Sequence, residues 1–163
     1  MELNYWGTLR ITRALLPAFI ARGTGLIVNV SSLLGSVASP TTANYSATKA
    51  ALEAWSFALR AELRRFGVRV TVFVAPHTQT EMGSATKFDG VPSLPVSYTA
   101  KELVRALDRA PRKYVASPVY RLLLWLARLF PVFMEARVGA SAVPYLTASA
   151  ESLGRAQVSC EAS

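Results

Sequence analysis

Apolar positions recur along this 163-residue chain in two rhythms, one helical and one extended. Residues 3–22 carry Leu9, Ala14, Leu16, Phe19 and Ile20, which predicts a helix with those side chains on its buried face and a bend at Pro17. Gly23-Thr24-Gly25 breaks the pattern. Residues 26–30 form a short apolar run rich in β-branched side chains, the composition of a strand buried on both faces. A polar loop with Gly35 and Pro40 follows, then a long helix over 43–66. Its Ala47, Ala51, Ala54, Ala58 and Ala61 make a stripe of small side chains that suits close packing against another element. Gly67 ends that helix, and 68–74 reads as a second strand. Residues 76–97 hold Pro76, Gly83, Gly90, Pro92 and Pro95 and read as a long irregular loop. A helix at 99–110 and a third strand at 113–117 complete the series. Alternating helices and strands predict a parallel sheet with helical crossovers, an α/β fold.

Composition narrows the field. The length suits one domain with a buried core, and 52% of the residues are hydrophobic. Cys160 is the single cysteine, so an internal disulfide is excluded, as is a Cys-x-x-Cys zinc site, and a reducing compartment fits. No signal peptide is visible at Met1, and no run of about 18 uncharged apolar residues suggests a bilayer-spanning helix. A cytoplasmic location is therefore expected. The net charge of +8 is spread along the chain without a reading motif, so no nucleic-acid partner is expected. Basic residues are densest between 105 and 137, seven against two acidic ones.

The most apolar stretch, 119–134, lies inside that region, with Arg121 and Arg128 seven residues apart on one helical face. Two readings stay open. The stretch is either an interfacial helix in peripheral contact with a membrane, or a helix that caps a substrate pocket or packs at a subunit interface.

The sharpest chemical signal is Tyr45-Ser46-Ala47-Thr48-Lys49 at the start of the long helix. Positions i and i+4 share a face, so phenol and ammonium can meet in one site. A nearby cation stabilises phenolate and tunes the tyrosine for proton transfer to or from a carbonyl/alcohol oxygen. Such a pair alone is common on helices. Here, however, Ser32 lies thirteen residues before Tyr45, at the end of an apolar strand, where open α/β sheets place their ligands.

The run from Val28 through Ser31, Ser32 and Gly35, then Pro40, then Tyr45 to Ala51, resembles the short-chain dehydrogenase/reductase family. Leu3-Asn4 with Gly7 and Leu16-Pro17 extends the likeness to the helix before the serine strand, and Pro76 and Thr80 extend it beyond the second strand, so that it covers about residues 3–117. The resemblance implies a partial Rossmann-like, doubly wound parallel sheet made of the family's last three strands. It implies Tyr45 as general acid/base, Lys49 as the cation that lowers its pKa and bonds the nicotinamide ribose, and Ser32 as hydrogen-bond partner of the substrate oxygen. Asn4 would hold a water in a proton relay. The implied cofactor is NAD or NADP, contacted by Tyr45, Lys49, Pro76 and Thr80. The implied substrate is a small carbonyl/alcohol pair, here lipophilic, and a complete chain is expected to form a homo-oligomer.

Two departures stand out. Where the family has glycine after the proline, this chain has His77 or a deletion, and no glycine-rich dinucleotide turn occurs anywhere in the sequence. The expectation is therefore the C-terminal, catalytic part of the family only. Residues 1–118 would be the catalytic part, and 119–163 an apolar helical C-terminal segment of the same domain. As such a fragment the chain would expose an apolar strand edge, dissolve poorly and turn over little. The alternative is a catalytically inactive truncated protein that serves as a dimerisation or membrane-surface module.

Overall fold

A computed structural model describes residues 1–38, 42–80, 92–133, 135–136 and 139. The chain opens on a π-helical turn, Glu2–Gly7, that runs directly into helix α1, Thr8–Arg22. Strand β1, Gly25–Ser32, is followed by a short 3-10 turn, Leu33–Gly35, and helix α2, Ala43–Leu63. Strand β2, Val68–Ala75, leads through the 76–95 region to helix α3, Val96–Arg109. Strand β3, Lys113–Val115, and helix α4, Pro118–Leu129, complete the described fold.

The three strands form one parallel sheet in the order β1-β2-β3. Parallel neighbours need crossovers, and here α2 and α3 provide them. Side chains alternate across the sheet, so successive residues feed opposite layers. Val68 and Val70 pack with Leu59 and Leu63 of α2 and with Leu16 and Phe19 of α1, and Ile27 joins them. Phe73 packs with Ala106 and Leu103 of α3, and Val28 joins that side. Helices thus cover both faces, which makes the fold an α/β, Rossmann-like one. The central strand β2 is the most deeply buried of the three, with Val70, Thr71, Val72, Phe73 and Val74 all at 1% exposure or less and Arg69 exposed.

Several expectations need correction. The inward stripe of α1 is Leu9, Thr12, Leu16 and Phe19, whereas Ala14 and Ile20 face outward. Those four positions follow the i, i+3, i+7, i+10 line that a helix lays against a sheet. The alanine stripe of α2 faces outward at Ala47, Ala54, Ala58 and Ala61, with Ala51 half-buried, and Ser46, Thr48, Leu52, Glu53, Ser56, Leu59 and Leu63 form the buried face. Strand β1 is less deeply buried than expected: only Asn29 and Ser31 are buried in it and Val30 is exposed, and among the described residues β1 is an edge strand with a partner on one side only. Helix α3 starts three residues before the expected position, directly after Pro95, whose fixed φ suits a helix entrance. Strand β3 ends at Val115, since Pro118 starts α4. Pro40 and most of the 119–163 tail beyond residue 133 lie outside the described residues.

Two glycines set the turn beneath the sheet. Gly23 and Gly67 end α1 and the turn after α2 with φ of 71° and 70°. A Cβ on Gly67 would stand 2.1 Å from the Gly23 carbonyl oxygen, so the two turns touch backbone to backbone.

Candidate active site

β1 and β2 stop in step. Ser32 is the register partner of Ala75, so the residues just beyond both strands emerge side by side at the carboxyl end of the sheet. Ser32 has an extended backbone, and its Oγ accepts a hydrogen bond from the Leu34 N–H at 3.3 Å, capping the 3-10 turn. That bond fixes the oxygen at the strand tip and leaves the hydroxyl proton able to donate.

Tyr45 stands in the first turn of α2 and is 38% exposed. One turn on, the Lys49 ammonium lies 5.7 Å from the centroid of the Tyr45 ring. Lys49 Nζ also donates to the Val30 carbonyl at 3.0 Å, which ties α2 to β1 two residues before Ser32. Partial burial lowers the Lys49 pKa below its ordinary value, because desolvation disfavours the charged form.

Asn4 enters from the π-helical turn before α1. Its Nδ2 donates to Thr48 Oγ1 at 3.3 Å, and the Thr48 hydroxyl donates to the Tyr45 carbonyl at 2.7 Å. The Asn4 carbonyl accepts from Thr8 Oγ1 at 3.3 Å. One turn of α2 therefore gathers Asn4, Tyr45 and Lys49, and Lys49 links that turn to the strand that carries Ser32. Pro76 is buried immediately after β2, beside the Ser32 end of β1. Thr80 is exposed four residues farther on, and its hydroxyl lies 3.5 Å from the Thr78 carbonyl within the same loop.

Two residues escaped the reading of the sequence. Glu53 is buried on the inner face of α2. It accepts from Ser31 Oγ at 2.8 Å on one oxygen and from Lys113 Nζ at 2.7 Å on the other, and Lys113 also donates to Ser36 Oγ at 2.7 Å. This network clamps the loop after Ser32 against α2. Gly35 makes room for it, since a Cβ there would sit 2.8 Å from Ser31 Oγ and 3.0 Å from both Glu53 Oε1 and Lys49 Cβ. The available signal was spacing: Glu53 lies four residues after Lys49, on the same helical face as the site.

The second is Tyr120, in α4, which is 1% exposed. Its hydroxyl accepts from the His77 N–H at 2.9 Å and donates to the Pro92 carbonyl at 3.1 Å. Burial raises its pKa, with the His77 N–H opposing.

Chemically, the arrangement offers an exposed phenol beside a cation and a serine hydroxyl at a strand tip. Such groups can hold an oxygen and move a proton to or from it. Among the described residues, no cluster of His, Cys, Asp or Glu could hold a metal ion.

Comparison with known proteins bears on this geometry. The family model described as short chain dehydrogenase matches residues 1–89. The chain belongs to the short-chain dehydrogenase family. That family is one of oxidoreductases, and the match covers Ser32, Tyr45 and Lys49 but stops short of residue 117, where the likeness was expected to end. It lies in the N-terminal part of this chain, and does not by itself assign the chain to the C-terminal part of a whole dehydrogenase. A dehydrogenase/reductase SDR family protein 7-like from Anopheles gambiae is 32% identical over 143 residues, covering 80% of this chain and 45% of that protein. A fatty acyl-CoA reductase from Acinetobacter baylyi is 37% identical over 124 residues, covering 75% and 41%. The crystal structure of a short chain dehydrogenase from Burkholderia cenocepacia in complex with NADP superposes with a TM-score of 0.76 at 30% identity, covering 85% of this chain and 56% of that one. The chain thus spans about half the length of the dehydrogenase relatives it matches.

Proposed function

We propose that this chain carries the proton-transfer machinery of an NAD(P)-dependent oxidoreductase that interconverts a ketone or aldehyde and an alcohol. The observation that carries the reading is the Lys49 ammonium 5.7 Å from the Tyr45 ring at the carboxyl end of the sheet. Tyr45 is the general acid/base, Lys49 is the cation beside it, and Ser32 donates to the substrate oxygen. Asn4 positions the α2 turn that bears Tyr45 and Lys49 through Thr48.

The donor set suits the nicotinamide-ribose end of a dinucleotide: a cation and a phenol together on α2, with the exposed Thr80 hydroxyl in the loop after β2. Tyr45, Lys49, Pro76 and Thr80 are the residues that would hold it, and the dinucleotide supplies hydride chemistry when bound. The Burkholderia relative in complex with NADP supports the cofactor class. The glycine-rich turn that clasps a pyrophosphate is not in this sequence. In this reading, residues 1–118 are the C-terminal, catalytic part of a dehydrogenase fold, and 119–163 are its apolar helical end. The likeness to a fatty acyl-CoA reductase, together with the apolar 119–134 stretch, supports a lipophilic substrate.

A second reading has its own support. The exposed alanine face of α2 favours a dimerising module that is catalytically inactive. One experiment separates the two. The folded chain is titrated with NADPH and NADH by cofactor fluorescence and then assayed with a long-chain aldehyde. Saturable binding, with turnover that Tyr45→Phe abolishes, supports the enzyme. A folded sample that binds neither nucleotide supports the module instead.

A further inference from the structure

Helix α4 is apolar on both sides. Its inner side seats the buried Tyr120 and the half-buried Leu123, Leu124 and Ala127. Its outer side should be polar if water were its only neighbour. Instead, Leu122, Trp125 and Leu129 stand on the outer face, with Trp125 at 58% exposure. The chain continues outward with Phe130, Val132 at 76% and Phe133 at 64%. Arg121 and Arg128 are exposed along one flank of this strip, two turns apart on the same face. From Arg109 to Met134 the sequence holds five basic residues and no acidic one.

We infer that α4 and residues 130–133 dock on the surface of an anionic lipid bilayer, with Leu122, Trp125, Leu129, Phe130 and Phe133 entering the headgroup boundary and Arg121 and Arg128 meeting lipid phosphates. The charge pattern selects this occupant. A second copy seated on the same strip by two-fold symmetry would bring Arg121 and Arg128 close to their own equivalents with no carboxylate in the stretch to pair with them. A bilayer rich in anionic headgroups offers negative charge in a plane and an apolar layer beneath it, which matches the order of side chains across the helix. Long arginine stems can lie along the apolar strip while their heads reach the phosphates. No helix among the described residues is long and apolar enough to cross the membrane, so the contact is with one leaflet. The contact is independent of turnover. Tyr120 nevertheless connects it to the site, because its hydroxyl holds the backbone of His77 just after β2 and that of Pro92.

The test is flotation of the full chain with vesicles of phosphatidylcholine containing 30% phosphatidylserine, compared with pure phosphatidylcholine. The chain is expected to float with the anionic vesicles at least tenfold more than with the neutral ones, and to be released by 0.5 M salt. Trp125→Glu with Leu129→Glu is expected to reduce the floated fraction at least tenfold, and Arg121→Glu with Arg128→Glu to remove the preference for anionic lipid. These side chains point outward, so circular dichroism should show each variant folded. Absence of flotation by a folded chain would overturn the inference, as would flotation unchanged by the Trp125/Leu129 variant. A dimer in size-exclusion chromatography that the same variant disperses, without flotation, would assign the strip to a second copy instead.

Discussion

Lys113 Nζ stands 2.7 Å from Glu53 Oε2, joining the shortest strand of the sheet to the inner face of α2 across 60 residues of sequence. Ser31 Oγ occupies the other carboxylate oxygen at 2.8 Å, so the pair also holds the end of β1. Neither the strand tip nor the turn after it is positioned by β1 alone.

The pair should matter to stability more than a surface ion pair does. Removing one partner of a buried pair leaves the other charge uncompensated. Lys113→Met is expected to cost about 2–4 kcal/mol in urea unfolding, at the lower end of the buried-pair range because the lysine retains some solvent contact. The double variant Glu53→Gln/Lys113→Met should recover part of that loss. An additive double variant would show that the pair contributes nothing beyond its separate packing.

Gly67 should be the least replaceable glycine. Alanine there meets both a left-handed backbone, at φ 70°, and the Gly23 carbonyl at 2.1 Å. The conformational term alone is roughly 1–2 kcal/mol, before any backbone shift is counted. Gly67→Ala is therefore expected to lower the unfolding midpoint more than Gly35→Ala, whose clash falls on side chains. Parallel denaturant curves of the two variants would decide it.

Acid stability should depend on Glu102. Its carboxyl accepts from the Tyr114 hydroxyl at 2.6 Å and pairs with Arg105. The Tyr114 hydrogen bond, and after it Arg105, hold its pKa below the ordinary carboxylate value against the opposing effect of burial. A depressed acid contributes stability that is present above its ordinary pKa and lost as pH falls through the lowered one. Tyr114 is raised, first by burial and then by Glu102, so its contribution is present below its ordinary pKa and lost as pH climbs above it. Thermal melts from pH 7 to 3 should therefore fall more steeply for the native chain than for Tyr114→Phe. Equal slopes would place the acid sensitivity elsewhere.

If the proposed chemistry operates, Tyr45→Phe and Lys49→Met should fail differently. Losing the proton donor costs roughly 10²–10⁴-fold in turnover and leaves nucleotide affinity within a few-fold. Losing the lysine should weaken both, since it is assigned to both. Nucleotide titration beside steady-state rates separates the outcomes, and a Tyr45→Phe variant of unchanged turnover would remove the tyrosine from the mechanism.

Much of the architecture was legible because its signals are local. The unbroken run Val70 to Val74 marks a central strand, and glycine after each long helix marks its end. What failed was facing. An alanine stripe reads equally well as an inner or an outer face, and in α2 it proved to be the outer one. Glu53 was hidden because an acid in a helix is ordinarily solvated, and its cation lies on a strand 60 residues away. Tyr120 was hidden inside an apolar run, where one hydroxyl carries no pattern. Ser32, Tyr45 and Lys49 stood out because their spacing is carried by one strand and one helix start, which sequence does record, and Asn4 through the family resemblance around it.

The phenol of Tyr120 has a consequence for how this protein can diverge. It grips His77 on one side and Pro92 on the other, and Thr78 bridges to Leu94 just beyond. The connection between β2 and α3 is therefore cinched at its base, like a drawstring. Insertions or deletions between those points need not disturb either neighbouring element, since lengthening a closed loop carries only a slowly growing entropic cost. Descendants of this chain can therefore change length between His77 and Pro92 while the strands and helices on either side stay where they are.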